Sequence, residues 1–450
     1  MRNFFILFTL CISAMSVQGQ TPAEYRFSLD EAIVFALDSN YTAINARREI
    51  AKAIKQKWET TATGLPQIDG AVSYQNNLKQ PVSLIPAEFT GGEPGTFVPV
   101  VFGTKQSATA VATLNQLIFD GSYLVGLQAA RAFLDYSENS NEKVRLEVRK
   151  GVINAYGSVL LSEQLLETFQ SNKQTLENNL FETREIFKNG LIEEENVEQL
   201  EITLLDIETQ LNNARRSNEI ARQMFKVALG LDLNERVVLT DDLDDLAQAR
   251  IDLGLMNSNL SVEENVDYKI AYNLTEQRNL ELKLEKSRAL PSISAFVNYG
   301  TQGNSNEFSF FDNDQRWFQY SVLGVNMNIP IFSSGLRSAR SQRAKIAVEQ
   351  AETQLEEAKQ NIRLQFDTAL SNYQFSLESY ENAKKNLALA ERIEQKNQIK
   401  FTEGIASSFD LRQAQTQLYT AQQQYFQSML SLINSKTELE TILNTPQLRN

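Results

Sequence analysis

The chain has 450 residues, 22% of them charged, a formal net charge of −13, no histidine and one cysteine. These counts exclude a Ser-His-Asp or Cys-His triad, a histidine-ligated zinc or haem site and an intrachain disulfide, and the acidic balance argues against a nucleic-acid partner. The nine prolines leave two long gaps, Pro99 to Pro291 and Pro330 to Pro446; since proline costs about 3 kcal/mol inside a helix, each gap predicts a long helical region.

In chain order, Met1 to Asn3, an apolar run from Phe4 to about Met15 and the small-residue stretch Ser16 to Gly19 predict a secretory signal over residues 1–19. The apolar run is too short for the roughly 20 residues that cross a bilayer as a helix. Cys11 lies inside it, and Leu10 stands where a lipoprotein signal needs a small residue, so the mature chain is expected to carry no cysteine. No later stretch approaches a transmembrane helix, which leaves open periplasmic, secreted and β-strand membrane forms.

Residues 27–63 are helical in composition, with Ser28 and Asp30 as capping candidates, and Leu65-Pro66 ends that helix. Ile68, Val72 and Tyr74 then begin an alternating strand. A loop rich in Gly and Pro leads to a returning segment that ends at Ile118-Phe119. From Gly121 to Phe187 apolar residues recur at sevens (Val152, Val159, Leu166, Leu180, Phe187), with Lys173 interrupting and with Val148, Ala155, Phe169 and Leu176 interleaved. That is a coiled-coil seam, and at 1.5 Å per residue the helix is roughly 100 Å long. A glycine turn at Gly190 starts a returning helix. The acidic run Asp241 to Asp245 that follows does not fit an EF-hand loop and is expected to be a solvated linker.

The pattern then repeats. Leu65-Pro66-Gln67-Ile68 matches Leu290-Pro291-Ser292-Ile293, Ile118-Phe119 matches Ile331-Phe332, and Phe187-Lys188-Asn189-Gly190-Leu191 matches Phe401-Thr402-Glu403-Gly404-Ile405. The second seam runs through Phe366, Tyr373, Tyr380 and Leu387 beside Leu355, Ile362, Ala369, Ala383 and Ala390, and Ser407 or Ser408 is the N-cap expected for its returning helix. The expected division is therefore a signal (1–19), a first repeat (20–235, strands about 66–118, helices about 121–232), a linker (236–266) and a second repeat (267–445, strands about 291–331, helices about 335–443). In the second hairpin Leu323, Val325, Met327 and Ile329 alternate with Gly324, Asn326 and Asn328. A membrane strand and a half-buried strand of a soluble sandwich both carry that pattern; in the first case Trp317, Phe318 and Tyr320 would join an interfacial aromatic girdle.

Two hairpins supply four strands, fewer than the eight or so of the smallest barrels, and an open sheet edge in lipid costs several kcal/mol per unpaired group. Strands that cross a membrane would thus require the chain to oligomerise. The repeated Leu-Pro strand entry, the Ile-Phe pair before each long helix, and Phe401-x-x-Gly404-x-x-x-Ser408-x-Asp410-Leu411 followed by Ala414-Gln415 resemble the TolC-type outer-membrane efflux protein family over essentially the whole mature chain. The resemblance implies a mainly α fold with a membrane β part. It is a duplicated unit of long antiparallel coiled-coil helices plus two β-hairpins, trimerising into a twelve-stranded outer-membrane β-barrel joined to a periplasmic α-helical barrel. The implied role is the passive exit duct of a tripartite efflux pump or type I secretion system. Its implied partners are two further copies, outer-membrane lipid, a periplasmic adaptor and an inner-membrane transporter. No catalytic site, cofactor or metal is implied.

In that family the glycine turns contact the adaptor. The matching positions are Asn189, Gly190 and Leu191 in the first copy and Glu403, Gly404 and Ile405 in the second; a plain αα-hairpin turn also wants glycine there, and both readings can hold. The family closes its periplasmic mouth with carboxylates and an arginine. Asp410 matches one acid, whereas Gln413 and Ala406 stand at the second acid and the arginine, so the network is only partly present. Glu193, Glu194 and Glu195 occupy the corresponding first tip. Three copies of such acids would attract cations at a narrow mouth; the same glutamates also complement a helix dipole. Among other classes, an exported coiled-coil stalk or filament accounts for the helices and not for the hairpins, and an exported hydrolase lacks histidine and any nucleophile motif. The exported substrate is not readable from the chain.

Overall fold

The first helix starts at Ser28 because that residue satisfies otherwise orphaned amides. Its hydroxyl accepts from Glu31 N at 3.4 Å while the Glu31 carboxylate accepts from Ser28 N at 2.8 Å, a capping box. Helix α1 (Leu29–Ser39) stops at Asn40, whose backbone is extended and whose side-chain oxygen accepts from Thr42 N at 2.8 Å to start α2 (Tyr41–Ala62). The single helix expected over 27–63 is thus two. The short Asn side chain competes for backbone amides at the junction, and Phe27 belongs to a strand.

The computed structural model describes residues 24–444; the expected signal, with Cys11, lies outside the described residues. The strands are β1 (Glu24–Phe27), β2 (Gln67–Asn76), β3 (Val82–Pro86), β4 (Phe97–Val101), β5 (Gln106–Phe119), β6 (Arg236–Leu239), β7 (Ser292–Ser305) and β8 (Trp317–Asn328). Between and after them lie α3 (Gly121–Lys188), α4 (Glu194–Leu229), α5 (Leu243–Ala249), α6 (Val266–Ser287), α7 (Leu336–Thr402) and α8 (Ser408–Leu443). The proline gaps are filled by α3 and α7, of 68 and 67 residues, each followed by a helix of 36. Among the described residues no helix is long and apolar enough to cross a membrane.

Two compact units divide the chain. The first lies within Met1–Glu49, Glu138–Ile270 and Glu356–Asn450. Its core is the heptad seam: Val148, Val152 and Val159 of α3, Phe366, Ala369, Tyr373 and Tyr380 of α7, and Met429, Leu432 and Ile433 of α8 are all buried. Each such large side chain contributes about 1.5–3 kcal/mol on leaving water. Strands β1 and β6 pair in parallel beside this core. The acidic run after β6 is built into it and is not a free linker. Asp241 Oδ2 accepts from Leu29 N at 2.7 Å and lies 3.1 Å from the Tyr156 hydroxyl, Asp242 caps α5, and Asp244 accepts from the Tyr425 hydroxyl at 2.6 Å. Burial pushes the Tyr156 phenol well above its ordinary pKa, so it stays a neutral donor. No group of three or more metal-ligating side chains occurs among the described residues.

The second unit lies within Ile50–Ser137 and Ala271–Leu355 and holds a four-stranded sheet in the order β2-β5-β7-β8, antiparallel throughout. Directly paired residues share a face. The register therefore gathers Ile68, Val72, Leu114, Val297, Leu323, Val325 and Met327 on one side, and Asp69, Ser73, Thr113, Asn298, Gln302 and Asn326 on the other. Most of the apolar side is uncovered, with Val72 86%, Leu323 76% and Val325 67% exposed. Trp317 shares it. Phe318 and Tyr320, expected beside Trp317, do not: Phe318 pairs with Gln302, and the Tyr320 ring lies over its cross-strand partner Gly300 on the polar side. Strands β2 and β8 are the sheet's two edges and have no further partner among the described residues. The Gly- and Pro-rich loop contains an unexpected hairpin, β3 against β4, turned by Ala87–Thr90 and Gly91.

Candidate functional site at the helical tips

Both glycine turns lie in the first unit and are built alike. At the end of α3, Gly190 N–H donates to Phe187 O at 2.8 Å and Leu191 N–H to Ile186 O at 3.3 Å; at the end of α7, Gly404 N–H donates to Phe401 O at 3.0 Å and Ile405 N–H to Lys400 O at 2.8 Å. These are the two bonds of a Schellman cap, which requires a left-handed residue, and φ is +72° at Gly190 and +73° at Gly404. The apolar residue after such a cap usually packs back onto its helix. Here it does not. Leu191 is 74% and Ile405 71% exposed, so each tip presents an aliphatic side chain to whatever meets it. Asn189 folds back to donate to Glu185 O at 2.8 Å, while Glu403 is exposed.

The returning helices start differently. Ser407, rather than Ser408, caps α8: its hydroxyl accepts from Asp410 N, and the Asp410 carboxylate accepts from Ser407 N at 3.1 Å and from the Ser407 hydroxyl at 2.7 Å. Those bonds hold the Asp410 carboxyl below the usual aspartate range. Asp410 is thus exposed, ionised and anchored to its own helix start. Helix α4 has no side-chain cap at Glu193, and Glu194 and Glu195 occupy its first turn, where their charge complements the dipole; all three are exposed. The arginine missing at Ala406 has a neighbour at Arg412, whose guanidinium lies 5.3 Å from the Phe409 ring centre. Arg412, Phe409 and the exposed Gln413 line a groove of about 840 Å³ with Leu389 and Ile393 of α7.

Polar contacts join the two tips, and the apolar heptad series did not reveal them. Ser408 of α8 hydrogen-bonds Asn196 of α4. Higher up, Asn179 of α3 and Gln398 of α7 exchange amide bonds of 3.1 and 3.0 Å, and Asn172 donates to Gln422 at 2.9 Å. Paired amides inside a coiled-coil seam select one register, because a slip leaves them buried and unmatched. Lys173, which interrupts the apolar series, was the visible sign that the seam turns polar there; it pairs with Glu208 at 2.9 Å.

The model of the family described as outer membrane efflux protein matches this chain twice, over residues 36–231 and 263–445. Solved structures with the same fold include the transmembrane channel CusC, 17% identical over 92% of this chain and 91% of that one, with a TM-score of 0.73. The CmeC outer membrane channel of Campylobacter jejuni is 17% identical over 92% and 85%, with a TM-score of 0.72. The MtrE outer membrane channel of Neisseria gonorrhoeae, in its open state, is 18% identical over 92% and 88%, with a TM-score of 0.70. At these identities the likeness establishes the fold alone. No curated protein matches the chain.

Proposed function

The chain belongs to the outer membrane efflux protein family and is an outer-membrane efflux channel, and from that premise we propose that three copies build one passive duct. The observation that carries this reading is the four-stranded sheet with a largely uncovered apolar face and two open edges. In lipid, each unpaired edge amide or carbonyl costs several kcal/mol. Strand β8 of one copy set against β2 of the next removes every edge, and three copies of four strands give twelve, within the range of membrane barrels. The face carrying Leu323, Val325 and Met327 then meets lipid, and the face carrying Asp69, Asn298 and Asn326 meets the water of the lumen. The helices form the periplasmic barrel. A coiled-coil stalk has no use for such a sheet.

At the helical tips, Asn189, Gly190 and Leu191 with Glu403, Gly404 and Ile405 are the surface for a periplasmic adaptor, which couples the duct to an inner-membrane transporter. The support is the pair of like caps with their unpacked Leu191 and Ile405. Asp410 and Glu193 to Glu195, repeated three times around the mouth, give it a negative potential and a preference for cations. The duct carries out no chemistry of its own; the transporter supplies the energy.

The test is fractionation followed by planar-bilayer recording of the purified protein. Recovery from the outer membrane as a detergent-stable trimer with an ohmic, cation-preferring conductance is expected. A soluble monomer or fibre without conductance would overturn the reading.

A further inference from the structure

The loop between β7 and β8, residues 306–316, does not stand away from the sheet. It folds back over the apolar face and lays Phe310 between the two edge strands: the Phe310 ring centre is 5.8 Å from Tyr74 of β2 and 6.2 Å from Trp317 of β8, and the side chain is only 7% exposed. Phe308 packs edge-on to both Tyr74 and Phe310, at 5.6 and 5.7 Å, and Phe311 lies beyond it, tilted, at 6.0 Å. The outer two rings remain bare, Phe308 61% and Phe311 89% exposed.

Some of the loop's polar groups bond within the loop or to the strand before it, Ser309 and Gln315 being its half-buried polar side chains. Glu307 N donates to Ser305 Oγ at 3.2 Å, Asp312 N to Ser309 O at 3.0 Å, Gln315 N to Asp312 O at 3.1 Å, and the Ser309 hydroxyl to Gln315 Oε1 at 2.9 Å. Asn306 Oδ1 accepts from Lys105 N at 3.1 Å and pins the loop to the entry of β5. The loop is thus tied partly to itself and partly to the sheet, and it holds Phe308 and Phe311 outward, where bare rings favour a medium less polar than water. The exposed carboxylates of Glu307, Asp312 and Asp314 limit how deep it can go.

We infer that this aromatic strap is a lipid anchor, seated at the acyl–headgroup boundary of the membrane that surrounds the sheet. It is continuous with the Leu323, Val325 and Met327 face, and so it rests on the reading of that face as lipid-facing. Tyr74, Phe310 and Trp317 are its base, and Phe308 and Phe311 are the rings that enter the lipid, as aromatic side chains do at membrane interfaces.

Brominated phosphatidylcholine vesicles test it, since acyl-chain bromines quench tryptophan at contact. The chain has two tryptophans, Trp58 and Trp317. In a Trp58→Phe, Trp317→Phe background, the trimer carrying Phe311→Trp is expected to lose most of its fluorescence to chains brominated near the headgroup and little to chains brominated near the methyl end. Leu323→Trp in the same background is the control for the lipid-facing sheet. Quenching of Leu323→Trp with none of Phe311→Trp, whether the latter is open to aqueous iodide or shielded by a neighbouring copy, overturns the strap and leaves the barrel intact. Loss of both signals overturns the lipid-facing sheet itself.

Discussion

Arg149 of α3 and Glu440 of α8 meet inside the first unit as a buried ion pair, with Nη2 2.7 Å from Oε2 and both side chains more than nine-tenths out of solvent. Lys436 adds a second cation 3.6 Å from Glu440 Oε1. Charges this deep repay their desolvation only while matched, so removing one partner costs far more than an exposed pair would.

Glu440→Ala is therefore expected to destabilise the fold by about 3–5 kcal/mol, read from urea unfolding followed by circular dichroism. Replacing Arg149 and Glu440 by Leu together with Lys436→Met removes all three of these charges and is expected to recover most of that loss. A single mutant that loses less than about 1 kcal/mol would show that water reaches the pair.

The exposed tip residues predict the opposite profile. Leu191→Asp and Ile405→Asp touch no core and are expected to shift stability by no more than about 0.5 kcal/mol. In the proposed assembly they place a charge where an apolar contact forms, so capture of the periplasmic adaptor falls at least tenfold while the purified trimer still forms and conducts in a bilayer. Full adaptor binding by both variants would remove the tips from the docking surface.

Much of this arrangement is legible in the chain because its signals are local. Pro66 and Pro291 precede strands, the proline gaps are helices, and the heptads through Val152 and Tyr373 are buried. Parity alone separates Trp317 from Phe318 and Tyr320, since only Trp317 is in step with Leu323 and Val325. What is not legible depends on a distant partner. The amide of Asn179 looks like a surface residue until Gln398, 219 positions away, is placed against it. The run Asp241 to Asp245 looks solvated because Tyr156 and Tyr425, which bind it, lie on helices far along the chain. The strap has the same cause: nothing near Phe310 in sequence announces Tyr74.

Asp410 separates charge from capping. Its folded pKa is depressed by the Ser407 bonds, so its contribution to the start of α8 is complete above the ordinary aspartate range and disappears as pH falls through the depressed value. Corrected for intrinsic exchange, amide protection at Ser407 and Asp410 is expected to hold through mildly acid pH and to drop only below the usual carboxylate range. Asp410→Asn keeps an acceptor for the cap and removes the charge; Asp410→Ala removes both. Reduced cation block in the two variants alike, with frayed protection only in Asp410→Ala, assigns the charge to the mouth and the hydrogen bond to the helix. Wild-type block in both variants confines Asp410 to capping.

Gly230 and Gly404 share a left-handed backbone, φ +76° and +73°, but differ in what surrounds them. A Cβ at Gly404 would meet open space, whereas one at Gly230 would fall 2.3 Å from Ser39 O. That carbonyl cannot step aside. Ser39 Oγ is bonded to Leu229 O at 2.5 Å, Asn40 Nδ2 to Ala228 O at 2.8 Å, and Asn40 also breaks the chain between α1 and α2. Alanine pays the left-handed conformation at both positions, roughly 1–2 kcal/mol. At Gly230 it also forces backbone apart, typically a further 1–3 kcal/mol. Gly230→Ala is thus expected to lower the urea midpoint by at least twice the shift of Gly404→Ala; equal shifts would mean that the α1–α2 junction yields, and that the Ser39 and Asn40 bonds do not hold the end of α4 in place.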